Sequence, residues 1–533
     1  MSLKYIILFF LVLALAAFLR IYHLDRVPPH LSNDEISIAY DAYSVSKTLR
    51  DEHNHFLPVS FRSHGTYKAP LAIYLAIPTT VIFGNNEYSA RLPSAILGVL
   101  TVLVIGLLVQ LLTRNISLAL LTSFTLAITP WHIYCSRMAL ESNIALFFVI
   151  FGIYLFFLSL NTGHFLLILI GFVSWAFSVY GYHTEWGFTP MIIIFLLLIY
   201  FRKIKRKPIY LLGIFLFLAL TAPIFINYLN NLHSYARAST EIILKEPTLN
   251  RTLASHEFNY FQKILVLIGA VLGNYSQYTE VGYLFFDGLN VMPKNDPFQS
   301  GLFLIAFLPG FFFGLARVNK LFKENSGFIY LWAIFSPLVP TLTIGGPNLV
   351  RNLVSAVPYT IIISAGNYEL WHLFKSKWVR FLIAPMFISL SFFYFAMIYY
   401  HNFPIGAAEG FQYGYKQIAS YVKEHSARYQ KIVIDPKFGE THNYDGVPHL
   451  YMPYFTYLDP QKFLNERKNL PSGLFFDKYE IRDIDWAREV IAPATLYVVP
   501  RSNLPATLAG DRLELIKEIR LPNNQPAFSL FGS

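Results

Sequence analysis

Apolar runs recur along most of the first four hundred residues. They lie near 4–20, 91–112, 117–134, 142–160, 164–180, 187–201, 208–228, 301–317, 326–343, 353–371 and 381–399. Each approaches the roughly 20 residues that an α-helix needs to cross a bilayer core. Composition agrees: 55% of the 533 residues are hydrophobic and 14% charged, against roughly 25% charged in soluble domains. The expected fold is a polytopic α-helical membrane protein with about eleven transmembrane helices. The net charge of +10 fits basic cytoplasmic loops and lipid headgroups and gives no reason to expect nucleic acid. One cysteine, Cys135, leaves no intrachain disulfide. The first run reads as a retained helix rather than a cleaved leader, since no small-residue cleavage site follows it.

The positive-inside rule orients the chain. With Met1 cytoplasmic and the short run Pro70–Gly84 not crossing, Arg114, the run RKIKRK at 202–207, Arg317–Lys323 and Lys375–Arg380 all fall inside. The first outer loop then covers about 21–90 and includes juxtamembrane helices. A large outer segment covers about 230–300, and everything after about His401 lies outside. The expected division is a transmembrane catalytic domain over 1–402 and a soluble extracytoplasmic α/β domain over 403–533. In the tail, Ile418, Tyr421 and Val422 form a helical stripe, and KIVID and TLYVVP read as buried strands.

The polar residues that interrupt this pattern collect at the outer helix ends, where ionisable groups are expensive and often functional. Asp34 and Glu35 stand just past the first run. They also suit a helix start, with Asn33 or Asp34 as N-cap. Lys68 sits in HGTYKAP beside His64 and Tyr67, where a lysine can snorkel or hold a phosphate. Arg137 and Glu141 stand four apart in SRMALES, the spacing of a helical ion pair worth a few tenths of a kcal/mol. His183 and Glu185 lie in YGYHTEWGF and do not make a metal-ligand motif. Arg351 follows GGPN and is a candidate anion contact. No nucleotide-binding glycine loop is present.

Taken in order, NDE in the first outer loop, YKAPLAIYL, EYSARLPSAILGVLTVLVIGLL and ITPWHIYCSRMALES resemble the PMT/ArnT-type glycosyltransferases. These are the protein O-mannosyltransferases and aminoarabinose lipid A transferases of the GT-C superfamily. The resemblance is strongest over roughly 1–200, and the start of the tail resembles the outer domain of bacterial members. It implies a GT-C fold, a polyprenyl-phosphate sugar donor, and inverting transfer to a protein, lipid or polysaccharide acceptor at the outer face of the inner membrane. It also implies residue roles. Asp34 and Glu35 match the catalytic acids. Lys68 matches the lysine on the donor phosphate. Arg137 and Glu141 match the arginine and acid of the second outer loop, where the family more often has Asp. Arg351 lies where members carry a basic residue, a third candidate phosphate contact. His64, Tyr67, His183 and Glu185 are possible substrate contacts; a lysine that many members carry near Thr184–Glu185 is missing. A monophosphate donor reduces the need for a divalent metal, so neither metal nor other cofactor is expected. The lipid bilayer and the donor are the expected partners. The competing readings are a transporter or flippase of lipid-linked sugars, and a non-catalytic scaffold.

Overall fold

A computed structural model describes residues 3–63, 66–205, 207–230, 242–255, 258–288, 300–439, 444–471, 473–505 and 513–533. His64, and Arg206 of the RKIKRK run, lie outside the described residues.

The chain is a multi-pass helical membrane protein with a strand-rich C-terminal region. Its first helix, α1, covers Leu3–Ile21, and α2 covers Asn33–Thr48. A hairpin of β1 (Phe61–Ser63) and β2 (Thr66–Lys68) follows, with Phe61 opposite Lys68. Then come α3 (Leu71–Phe83), α4 (Glu87–Thr113), α5 (Ile116–Ala127), α6 (Pro130–Ser136), α7 (Glu141–Thr162), α8 (Phe165–Gly181) and α9 (Glu185–Ile199). Further long helices occupy Ile209–Asn230, Tyr260–Thr279, Leu308–Phe322, Ser326–Phe335, Ala356–Leu373 and Ala384–Met397. Every apolar run named above therefore contains a helix. The helix Tyr260–Thr279 lies in the segment expected to be a polar loop.

Six helical stretches among the described residues are individually long and apolar enough to cross a membrane, and counting the bent pair α5–α6 makes seven. One of the six, Ile305–Thr341, is a hairpin. The Tyr330 hydroxyl donates to the Leu315 carbonyl at 2.6 Å. In a straight helix residues 15 apart would be separated by about 22 Å, so the chain must reverse. It does so at Lys323, whose φ is 49°. Helix α3, at 13 residues with Pro78 inside it, measures about 20 Å, short of a core about 30 Å thick.

Local chemistry sets the breaks. Pro130 follows Thr129 and opens α6. It has no N–H to continue α5 and disfavours a helical residue before it, and α5 and α6 meet at 60°. Asn86 and Asn115 cap α4 and α5 with their side chains. Helices Leu308–Phe322 and Ala356–Leu373 touch backbone to backbone. A Cβ on Gly366 would lie 1.8 Å from the Gly310 carbonyl oxygen, the small-residue contact by which membrane helices pack closely.

The C-terminal region carries a two-stranded pair, β4 (Lys437–Phe438) and β5 (Tyr444–Asp445), and a separate seven-stranded sheet. Its strands are β3 (Lys431–Ile434), β6 (Lys468–Leu470), β7 (Gly473–Phe476), β8 (Tyr479–Ile481), β9 (Thr495–Pro500), β10 (Glu514–Arg520) and β11 (Pro526–Gly532), in the order β10-β11-β9-β3-β8-β7-β6. Central β3 runs parallel to β8 and β9, and the other pairs are antiparallel. KIVID and TLYVVP form β3 and β9 as their apolar runs predict. This region does not stand apart. Its core is continuous with Leu31, Ile36, Ala39, Tyr40 and Tyr43 in and before α2. The helix Pro448–Thr456 fits between the starts of α2 and α4. The Tyr451 hydroxyl donates to the Leu31 carbonyl at 2.6 Å, and the Tyr454 hydroxyl to the Asn86 carbonyl at 3.1 Å.

Candidate active site

The site is built on the start of α2. Ser32, one or two residues earlier than the sequence predicts, is the N-cap. Its side chain accepts from the Glu35 N–H while the Glu35 carboxylate accepts from the Ser32 N–H, a complete capping box. Asp34 is thus in the first helical turn, where the helix dipole favours a carboxylate. The structural and functional readings of the pair coexist.

The two carboxylates have opposite environments. Asp34 is 58% exposed, and its Oδ1 lies 3.1 Å from Nζ of Lys68, itself 5% exposed. The same Nζ donates to the Asp34 carbonyl at 2.8 Å. The β1–β2 hairpin carries the lysine to this position from 34 residues away. Glu35 is fully buried. Nε of Arg91 meets its Oε1 at 2.7 Å and Nη2 its Oε2 at 3.1 Å. The Ala139 N–H donates to Oε1 at 3.0 Å and the Ser32 N–H to Oε2 at 3.0 Å. Arg91 spends its other donors on the carbonyls of Leu24, Pro28 and His30. One guanidinium therefore organises the whole link between α1 and α2. Glu35 holds the scaffold and is not open to a substrate.

Sequence reasoning passed over Arg91, although the signal was present: an arginine inside an otherwise apolar run is expensive in a membrane helix.

Arg137 is also fully buried. It donates to the carbonyls of Leu19, His23 and Val27 and stacks on Tyr399 and Tyr400. Arg20, from α1, reciprocates by donating to Leu126 and Ala127 at the end of α5. Each arginine caps the carboxyl end of the other's neighbouring helix. The structure places Arg137 on main-chain carbonyls rather than at the Asp34–Lys68 pair. Arg137 and Glu141 do not share a helix, because α6 ends at Ser136 and α7 starts at Glu141. Their spacing of four is not that of a helical pair. Glu141 instead accepts from the Ala69 N–H at 3.0 Å, bracing the residue next to Lys68.

Tyr67 lies on β2, paired with Arg62. Arg351 is partly exposed and donates to Thr343 Oγ1 at 2.9 Å and the Ile344 carbonyl at 3.1 Å. The His183 ring packs on Trp186 with centroids 5.0 Å apart. Glu185 is buried at the start of α9 and accepts from Thr189 Oγ1 at 3.2 Å.

Further along the outer loop, Asp41, Asp51 and Glu52 are buried together. The Glu52 N–H donates to Asp41 Oδ1 at 2.9 Å, and Arg467 of the C-terminal region reaches Glu52 Oε2 at 3.4 Å. Burial pushes the Glu52 carboxyl up to about 7 and raises Asp41 well above the usual range, while burial lowers His53 to about 4. The raised carboxyls lose stability as pH rises through their folded pKa, whereas the depressed histidine gains it as pH rises between about 4 and 6.5. The two oppose each other below about 6.5, and only the carboxyls act above it. The thermal midpoint of the purified protein is expected to fall between about pH 6.5 and 8, and Glu52→Gln to flatten that fall. A midpoint that rises over this interval would contradict the assignment.

Comparison with known proteins adds two kinds of likeness. The family described as dolichyl-phosphate-mannose-protein mannosyltransferase matches residues 67–226, a stretch that contains Lys68, Arg91, Arg137 and Glu141. YkcB of Bacillus subtilis (strain 168), named provisionally as a mannosyltransferase, is 27% identical over 214 residues, 39% of this chain. The match spans 28% of that relative's length. ArnT from Cupriavidus metallidurans bound to undecaprenyl phosphate is similar over 99% of this chain and 98% of its own, with a TM-score of 0.57 and 12% identity. The same enzyme in the apo state covers the same shares with a TM-score of 0.55 and 11% identity. At such identities the likeness is one of fold. The chain is thus similar to the mannosyltransferase family in sequence over 67–226, and to ArnT in fold over nearly its whole length.

Proposed function

We propose that this protein is an inverting glycosyltransferase. It moves a sugar from a polyprenyl monophosphate to an acceptor at the outer face of the inner membrane. The proposal includes about eleven spans, an N-terminus inside and the C-terminal region outside. The observation that carries the reading is the exposed Asp34 carboxylate held 3.1 Å from the buried Lys68 ammonium at the first turn of α2.

The chemistry follows from that pair. Asp34 accepts the proton of the acceptor hydroxyl, acting as general base. The acceptor oxygen attacks the anomeric carbon from the face opposite the carrier, and the C–O bond to phosphate breaks with its electron pair going to the phosphate. A single displacement inverts the anomeric centre and needs no protein nucleophile. An ammonium has three donors, and Lys68 spends two on Asp34. The third is the one for a phosphate oxygen as charge develops there. Arg351 is the second candidate phosphate contact, while Arg137 and Glu35 serve the scaffold. Tyr67, His183, Glu185 and His64 remain candidate substrate contacts, and Glu141 the second outer-loop acid. A monophosphate donor reduces the need for a divalent metal, and none is required in this scheme.

Lys68→Ala is expected to raise the donor KM and lower kcat together, by about tenfold or more in kcat/KM. Steady-state kinetics with lipid-linked sugar checks it, and unchanged parameters would remove Lys68 from the donor site. Transport is separated from transfer by the product. A transferase releases free polyprenyl phosphate, and a flippase returns the donor intact.

A further inference from the structure

The contacts between the C-terminal region and α2 have a consequence for the proposed reaction, on which this inference rests. They gather at the residues just before and after the cap of α2. The buried Tyr451 hydroxyl donates to the Leu31 carbonyl at 2.6 Å. The buried Gln412 side chain donates from Nε2 to Asn33 Oδ1, and its Oε1 accepts from the Val447 N–H at 3.2 Å. The His30 ring nitrogen Nδ1 bonds the Phe411 carbonyl at 3.2 Å. Leu31, Ser32, Asn33 and Asp34 are consecutive. The groups flanking the cap are therefore fixed by side chains some 380 to 420 residues away in sequence. Gln412 has a φ of 53°, a left-handed backbone that a glutamine adopts only when its surroundings hold it there. The Tyr451 ring is itself locked, stacked on Tyr415 with centroids 4.9 Å apart and against His30 at 5.0 Å.

We infer that Tyr451 and Gln412 are positioning residues: the C-terminal region aims Asp34 by holding the first turn of α2. Neither side chain is expected to touch donor or acceptor. Loss of the Tyr451 hydrogen bond leaves the Leu31 carbonyl only the His30 ring nitrogen at 3.1 Å and lets the cap drift, and a base displaced by a fraction of an ångström loses rate without loss of donor binding.

Tyr415→Phe supplies the control. Tyr415 is equally buried beside Tyr451, and among the described residues its hydroxyl has no hydrogen-bond partner. Full-length Tyr451→Phe and Tyr415→Phe are compared with wild type in lipid by kinetics on a polyprenyl-phosphate sugar and by amide hydrogen exchange over residues 31–36. The expected result for Tyr451→Phe is a kcat lower by about tenfold, a donor KM within about twofold, and faster exchange at 31–36. Tyr415→Phe is expected to match wild type on all three. Gln412→Asn, which shortens the reach to Asn33 while tolerating the left-handed backbone, gives the same split should Tyr451→Phe fail to fold. Unchanged exchange, or equal loss of kcat in both tyrosine variants, overturns the inference. Wild type without turnover on any donor counts against the proposed reaction instead, and the exchange comparison still decides whether Tyr451 holds the turn.

Discussion

Asp34→Asn is expected to lower turnover by about 10²–10⁴-fold, the range by which a general base contributes, while expression, thermal stability and donor KM stay close to wild type. The substitution is nearly isosteric. The amide would keep an oxygen for the Lys68 ammonium and a place in the first turn of α2, but it cannot accept a proton at neutral pH. Exposure decides why the effect falls on this acid and not on its neighbour. Asp34 is 58% exposed, whereas every oxygen of Glu35 faces a protein donor. Only transition-state stabilisation is removed, so kcat and kcat/KM should fall together. Single-turnover measurements with labelled donor check this. A variant that loses stability in proportion to activity would instead make Asp34 a structural cap.

Arg91→Ala has the opposite signature. It leaves the Glu35 carboxylate buried without its cation and strips three carbonyls, those of Leu24, Pro28 and His30, of their donor. Breaking a buried pair by removing one partner costs about 3–5 kcal/mol. The expected result is low yield and a thermal midpoint well below wild type, with activity lost through folding. Glu35→Gln is milder in shape but leaves the guanidinium uncompensated, and it should destabilise by a smaller amount. Replacing both Arg91 and Glu35 by Met removes the buried charges together and should recover part of the loss. Recovery should be incomplete, because the carbonyls of the α1–α2 link remain unpaired. Thermal unfolding of the three variants in one detergent checks the order. Normal stability in Arg91→Ala would contradict the scaffold role.

These two outcomes bear on how much a single sequence could reveal. The helices were legible because their apolar runs are long. Asp34 and Lys68 were legible as candidates through their motifs. Their contact was not, since it depends on a hairpin of three-residue strands, too short to leave a periodic pattern. Glu35 and Arg91 stand 56 residues apart, and nothing local in either segment announces their pairing. Arg137 and Glu141 misled for a different reason: spacing predicts a shared face only where the helix continues, and here it stops at Ser136. In the C-terminal region the apolar β3 and β9 were readable. The edge strand β6, exposed along its length, carries no such signal. The embrace of α2 by Tyr451 and Gln412 is tertiary throughout.

The central claim is that the exposed carboxylate at the first turn of α2 drives sugar transfer from a lipid phosphate. The most direct measurement uses purified protein in lipid with a panel of radiolabelled polyprenyl-phosphate sugars and candidate acceptors, wild type beside Asp34→Asn. The account predicts that wild type moves label from one donor to an acceptor and releases free polyprenyl phosphate, and that Asp34→Asn does so at least about 10²-fold more slowly. Equal rates in the two proteins, or label that crosses the membrane with the donor intact, would contradict it.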